Sequence, residues 1–324
     1  MKIFCVLDPL HKLDPKWDTT LYLLREMSRR GHRIWIGDVP DLAFYQRAVV
    51  ARSREISPHD PNANILKTNA DFLFKAITKP ETLDLRLFDL ILIRKEPPFD
   101  ENYLCMTYLL DHLAKKIPIV NHPRGIRNTN EKLGALLFPD FIPPSIVSSS
   151  PASILEFQKS KESHLVIKPI AEKGGKGVFL LKKNQPGKIV KLKNATLRNK
   201  KFLVAQKFLK TPRQADKRIL ILNGKIFAAY EKRPAPKEFR ANLGLGGSFH
   251  RTRITPKEEK IAKTMRPYLL QEGLYFVGID VMGEFLLEIN VTCPAGLPEA
   301  KYLHPRLPLV EMWADFLESH VRKF

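Results

Sequence analysis

The stretch FVGIDVMGEFLLEINVTCP, Phe276–Pro294, reads as two apolar strands joined by a turn, interrupted by polar residues at regular intervals. Successive side chains on a strand point to opposite faces, so Glu288 and Asn290 share one face while Leu287, Ile289 and Val291 share the other. A three-residue turn keeps Asp280 on the face of Glu288 and Asn290, opposite Glu288 or one diagonal step away. Two acids and an amide then converge on one patch of sheet. Oxygen donors of this kind suit Mg²⁺, which takes one or two carboxylates and completes its shell with water and substrate phosphates. They equally suit the wet face of an antiparallel sheet, and the stretch alone leaves both readings open.

Upstream of this hairpin the pattern changes by region. Residues 1–120 alternate short apolar strands with helical segments: KIFCVL, a helix from Asp18 or Thr19 stopped by Gly31, HRIWIG, FDLILIR, the helical ENYLCMTYLLDHLAKK, and IPIVN. That alternation predicts a doubly wound parallel sheet as an N-terminal α/β domain. Residues 121–200 hold HLVIKPI, a glycine turn and GVFLL, a hairpin with a mobile tip expected to form a lid subdomain. Residues 201–324 hold FLVAQKFL, then RILILNG and KIFAAYEKR joined by the hairpin dipeptide Asn223–Gly224. A helix over about 257–272, the opening hairpin and a closing helix over about 306–321 complete an α+β body of antiparallel strands.

Composition bounds the function. The 324 residues suffice for two or three domains, and no run of about 18 apolar residues offers a membrane span. MKIFCVLDPL stays apolar too briefly for a signal peptide and reads as a first strand. Three dispersed cysteines without a CxxC argue against a disulfide framework or zinc site and for the cytoplasm. The net charge of +20 favours anionic partners. Residues 182–201 carry eight basic side chains and no acid, either a solvated face or a nucleic-acid patch. No nucleic-acid-binding motif accompanies them.

Lys168 ends the apolar strand HLVIKP, where a long cation can reach a phosphate, and GGKG, Gly174–Gly177, follows six residues later. Backbone amides of such a turn can cradle phosphate oxygens; a plain flexible hairpin is the alternative. The turn matches neither GxxxxGK[ST] nor a strand-preceded GxGxxG. Lys132 lies near the start of a segment, RNTNEKLGALLFP, that reads as an amphipathic helix. Two lysines, a glycine hairpin and the Asp280, Glu288, Asn290 cluster compose a Mg-nucleotide site.

In this order the segments resemble the prokaryotic glutathione synthetase family of ATP-grasp carboxylate–amine ligases. The likeness runs through IRKEPPFD (93–100), IVNHPRGIRNTNEKL (119–133), VIKPIAEKGGKGVF (166–179), VAQKFL (204–209), DKRILILNG (216–224), RANLGLGG (240–247) and Phe276–Pro294. The resemblance implies formation of glutathione from γ-glutamylcysteine, glycine and ATP through an acyl phosphate, with small-molecule substrates, a homo-oligomeric state and no role for nucleic acid or membrane. It places ATP at the hinge Gln206, Lys207, Phe208 and Leu209, with Asp216 at the ribose, Lys132 and Lys168 on the phosphates, and Gly174, Gly175 and Gly177 in a closing lid. Asp280, Glu288 and Asn290 would bind Mg²⁺, with Mn²⁺ as a substitute, and Asn290 would also touch the nucleotide. Arg94, Arg240 and Asn242 would hold the dipeptide; Arg218, Arg240 and Asn242 would act on the acyl phosphate. The chain departs from the family at Ala171 and Glu172 in the small loop, at Glu96, at Ala241, Ser248 and Phe249, and at Cys293–Ala295. These acceptor-side changes raise a related ligase for a different amino acid as the alternative. A basic nucleic-acid-binding protein and an idle relative are further readings.

Overall fold

The computed structural model describes residues 1–60, 73–211 and 214–324. The first sheet contains β1 (Lys2–Leu7), β2 (Arg33–Gly37), β3 (Leu42–Tyr45), β4 (Ala48–Pro58), β5 (Phe74–Ala76), β6 (Glu81–Asp84), β7 (Leu90–Arg94) and β8 (Ile119–Val120). β2, β1, β7 and β8 lie side by side and parallel, the wound core that the alternating pattern predicts. β4 adds to β2 antiparallel and carries β3, β5 and β6 antiparallel in turn, so the sheet is mixed. Alternating burial along β4 fits such an extension, whereas the parallel strands are buried on both faces.

Those two faces are covered by different helices. Ile3, Cys5 and Leu7 of β1 join Leu21, Leu24 and Met27 of α1 (Thr19–Arg29), which Asp18 caps by accepting from the Leu21 amide. Phe4 and Val6 join Tyr103, Met106 and Leu110 of α2 (Glu101–Asp111), capped likewise by Asp100. α2 ends at Asp111, before the lysines that the sequence reading includes in it. The short α3 (Pro123–Asn128) leads into the next region.

The second sheet is antiparallel throughout, in the order β11 (Phe179–Leu181), β10 (Leu165–Pro169), β12 (Leu203–Lys207), β9 (Ser145–Ser148). It packs a small core against α4 (Pro151–Ser160) and α5 (Lys188–Ala195). The FLVAQK strand, expected in the C-terminal region, therefore belongs to this second sheet, paired between β10 and β9. The basic run 182–201 forms α5 and its flanking turns, mostly exposed.

The third sheet runs β15 (Ser248–His250), β14 (Lys225–Arg233), β13 (Asp216–Leu222), β16 (Phe276–Met282), β17 (Phe285–Asn290), all antiparallel. Asn223 and Gly224 both adopt positive φ, as the two-residue β13–β14 turn requires. Ile219, Ile221, Ile279 and Ile289 bury one face against Ile261, Met265 and Leu269 of α6 (Pro256–Gln271), a helix opened by a Thr255–Glu258 capping box. The short α7 (Leu297–Leu303) and α8 (Leu309–Lys323) cover part of the other face, where Phe276 stacks on Trp313 with centroids 4.0 Å apart. Farther along that same face stand Arg218, Asp280, Glu288 and Asn290. One sheet surface is thus dry core at one end and open cavity at the other. No helix among the described residues is long and apolar enough to cross a membrane.

Candidate active site

A cavity of about 310 Å³ opens where the second and third sheets meet, within the size range of small-molecule sites. Val166, Phe208, Leu209, Met282 and Leu287 give it apolar walls suited to a flat aromatic base. Gln206 and Lys207 at the end of β12 lie beside them, and Asp216 also faces in. Leu287 corrects the simple alternation: the β16–β17 turn has two residues, Gly283 and Glu284, and a bulge follows it. Val281 pairs with Leu286 but Asp280 with Glu288, leaving Leu287 as the extra residue. Leu287 consequently lines the cavity with Glu288 and Asn290 instead of facing away.

The polar wall is a network of buried charges. Asp280, 6% exposed, accepts from Arg218 Nε at 2.7 Å and Nη2 at 3.1 Å, and from Lys232 Nζ at 3.1 Å. Lys232 also pairs with Asp216 at 3.0 Å. The carboxylates respond oppositely. Arg218 and Lys232 outweigh the burial of Asp280 and hold its carboxyl well below the usual range. Burial dominates at Asp216, lifting it to about 7 against the pull of Lys232. Glu288 pairs with Lys168 at 3.4 Å. Asn290 donates its Nδ2 to the Gly278 carbonyl at 3.1 Å, which makes its oxygen the atom to offer a ligand.

Asp280, Glu288 and Asn290 therefore meet on one face as expected, but through a two-residue turn and a bulge at Leu287 in place of the expected three-residue turn. Among the described residues no group of three or more His, Cys, Asp or Glu is placed to hold a metal ion. Two carboxylates and an amide form instead a partial, all-oxygen donor set. Such a set fits an ion that takes its remaining ligands from phosphates and water.

The remaining expected residues lie around this wall. Lys168 lines the cavity with Gly174 and Gly175 of the small loop. Both glycines have positive φ, as does Gly177, where an added Cβ would meet Pro169 Cγ at 2.8 Å. Gly177 shapes the base of the loop and does not itself line the cavity. Lys132 sits in a turn ahead of a short 3-10 helix (Gly134–Leu137) instead of on the expected amphipathic helix, and is buried behind the loop, its ammonium donating to the Glu172 carbonyl. Arg240 and Asn242 reach the loop from the other side: Arg240 Nη1 donates to the Gly175 carbonyl at 2.9 Å and Asn242 to that of Gly174. Arg240 also pairs with Glu238, whose carboxyl it holds down at about 2. Arg94 stands apart from the cavity lining. Its guanidinium donates to Thr20 Oγ1 and to the Pro294 carbonyl, both at 3.0 Å, so it braces the loop that carries Ala295 to the cavity.

The sequence reading passed over Lys232, Tyr230 and Glu299, which also line the cavity. Tyr230 and Lys232 stand two apart on β14 around Glu231, a spacing that could have marked a shared face; Glu299 follows the last motif and carries no pattern of its own.

Comparison with known proteins supplies the context. Residues 1–127 match the family model of the prokaryotic glutathione synthetase N-terminal domain, and residues 131–304 that of the prokaryotic glutathione synthetase ATP-grasp domain. The chain is 36% identical to a glutathione synthetase of Parasynechococcus marenigrum, over 99% of this chain and 100% of that protein. It is 34% identical to one of Gloeobacter violaceus, over 99% and 98%. Among solved structures, D-cycloserine synthetase DcsG superposes with a TM-score of 0.67 at 14% identity, covering 98% of this chain and 99% of that one, a likeness of fold.

Proposed function

The chain belongs to the prokaryotic glutathione synthetase family and is an ATP-dependent ligase joining γ-glutamylcysteine to glycine, and we propose how its cavity divides that work. The observation that carries the proposal is the meeting of Lys168, Arg218, Asp280, Glu288 and Asn290 beside the apolar hinge pocket of Gln206–Leu209. The base of ATP packs between Val166, Phe208, Leu209 and Leu287, and its phosphates extend to Lys168 and the amides of Gly174 and Gly175. Mg²⁺ is the ion proposed for Asp280, Glu288 and Asn290, where it would neutralise phosphate charge. The three free cysteines suit a cytoplasmic enzyme.

The dipeptide carboxylate attacks the γ-phosphorus and ADP departs; the amine nitrogen then attacks the acyl carbon, loses a proton and expels phosphate. Lys168 and Arg218 face the charge that builds on the transferring group and on the tetrahedral intermediate. Arg240 and Asn242 hold the glycine loop shut, which keeps water from the acyl phosphate. Lys132 fixes the other side of that loop through Glu172.

Glu288→Ala is the direct test. Phosphate release with γ-glutamylcysteine, glycine, ATP and Mg²⁺ should fall by about 100-fold or more, as when a charge-stabilising group is removed. Thermal melting should stay near wild type. Wild-type turnover in this variant would refute the metal assignment.

A further inference from the structure

We propose that Glu299 forms an ammonium-binding subsite that receives the amino group of the incoming amino acid, an inference that rests on the ligase reading above. Glu299 is 6% exposed and lines the same cavity as Lys168, Asp280 and Asn290. Its Oε2 is buried and has no hydrogen-bond partner among the described residues. An unpaired carboxylate oxygen kept out of water is costly, and a ligand that supplies donors removes the cost.

The protein's own cations are committed elsewhere. Arg218 spends Nε and Nη2 on Asp280 and Nη1 on the Ala295 carbonyl at 2.8 Å; Lys232 is held by Asp216 and Asp280. They supply positive field to Glu299 without a donor to Oε2. Burial nevertheless lifts this carboxyl to about 7. A carboxylate or phosphate guest would meet repulsion at Oε2, whereas an ammonium brings three donors and the opposite charge.

Position selects which ammonium. Arg218 bridges the Asp280 carboxylate and the loop entering α7, so Glu299 belongs to the reacting end of the cavity. Gly296 permits that approach: a Cβ there would meet the Tyr230 hydroxyl at 2.7 Å. The acceptor nitrogen, once its ammonium has passed one proton to Glu299 Oε2, must come within about 3.5 Å of the activated carboxyl carbon. The dipeptide's own ammonium lies at the far end of its γ-glutamyl chain from that carbon.

Steady-state kinetics of E299Q, which keeps the side-chain shape, test this. The KM for glycine should rise at least tenfold while those for ATP and γ-glutamylcysteine stay within about twofold. Hydroxylamine is a neutral amine near pH 7.5, and its capture of the acyl phosphate as hydroxamate should survive in E299Q. An unchanged glycine KM, a rise confined to the dipeptide, or loss of hydroxamate in parallel with glycine turnover would overturn the subsite. Should E299Q fold poorly, the wild type provides a second measurement: glycolate, which lacks the ammonium, should not compete with glycine at ten times the glycine KM, and competition there refutes ammonium recognition. Absence of wild-type turnover with γ-glutamylcysteine and glycine would remove the ligase reading itself; turnover with an indifferent E299Q would remove only the subsite.

Discussion

Lys232 controls the charge balance of the cavity. Its ammonium is shared between Asp216 at 3.0 Å and Asp280 at 3.1 Å, all three buried from solvent or nearly so. Replacing it by methionine keeps the volume but leaves two carboxylates facing one arginine. Removing one partner from a buried ionic network typically costs about 3–5 kcal/mol, so Lys232→Met should lose that much in denaturant unfolding. An effect under about 1 kcal/mol would place the group in a wetter setting than its burial indicates. The pH dependence follows from Asp216. Its carboxyl, raised from 3.8 to about 7 by burial, binds a proton more tightly folded than unfolded. Its contribution to stability is therefore complete below the ordinary aspartate value and is lost as pH rises through 7. Asp280 behaves oppositely: Arg218 and Lys232 depress it, so its contribution is present above pH 3.8 and disappears only in stronger acid. Between pH 5 and 8 the melting temperature should fall with rising pH on account of Asp216 and Glu299, both near 7. Asp216→Asn should flatten part of that slope; an unaltered slope would contradict the assignment.

The paired strands explain both what could be read from the sequence and what could not. Apolar runs, caps and the Asn223–Gly224 turn mark the strands and helices because each is a local signal. Lys168, the glycines and the Glu288, Asn290 pair were readable for the same reason, whereas Asp280 joins that pair only through register. Cross-strand partners depend on register, and two bulges reset it. Counting straight back from the Leu222–Lys225 pair sets Asp216 opposite Glu231; the irregularity after Ile221 brings Lys232 there instead. Likewise, counting from Met282–Phe285 sets Asp280 opposite Leu287, and the bulge substitutes Glu288. Each extra residue converts a poor pairing into a functional one, in keeping with the enrichment of bulges near active sites. The antiparallel strands β3–β6 escaped a reading built on strand–helix alternation, since they pair with one another through β4 and no helix of that pattern separates β3 from β4. Gly278 offers a test of how tightly this surface is packed. A Cβ there would lie 3.2 Å from both Cδ and Nη1 of Arg218, whose guanidinium Asp280 and Ala295 hold in place. Gly278→Ala should cost about 1–3 kcal/mol, the usual range for overpacking, and lower turnover through a displaced Arg218. Wild-type kinetics and stability together would mean that the guanidinium has room to move.

At the scale of the molecule, the small loop is where the parts of the chain meet. Lys132 holds it through Glu172, Arg240 and Asn242 hold it through Gly175 and Gly174, and Lys173 pairs with Glu96 of the N-terminal region at 2.7 Å. The backbone contacts depend on the side chains of Lys132, Arg240 and Asn242, whereas the Lys173–Glu96 pair ties the loop to the N-terminal region by charge. Both partners are partly exposed, at 47% and 27% of their side chains, so the pair adds little to global stability. Its consequence is kinetic. Closure has to outlast the acyl phosphate, because each opening before the amine attacks lets water destroy the intermediate. Weakening the pair should therefore leave ATP consumption largely intact while product yield per ATP falls. Glu96→Lys should raise the ratio of phosphate released to glutathione formed above one, most at limiting glycine, with a melting temperature close to wild type. The charge-reversed double variant, Glu96→Lys with Lys173→Glu, should bring the ratio back toward one, and the wild type should drift upward with added salt as screening weakens the pair. A ratio of one in the single variant at every glycine concentration would show that the backbone contacts close the loop unaided.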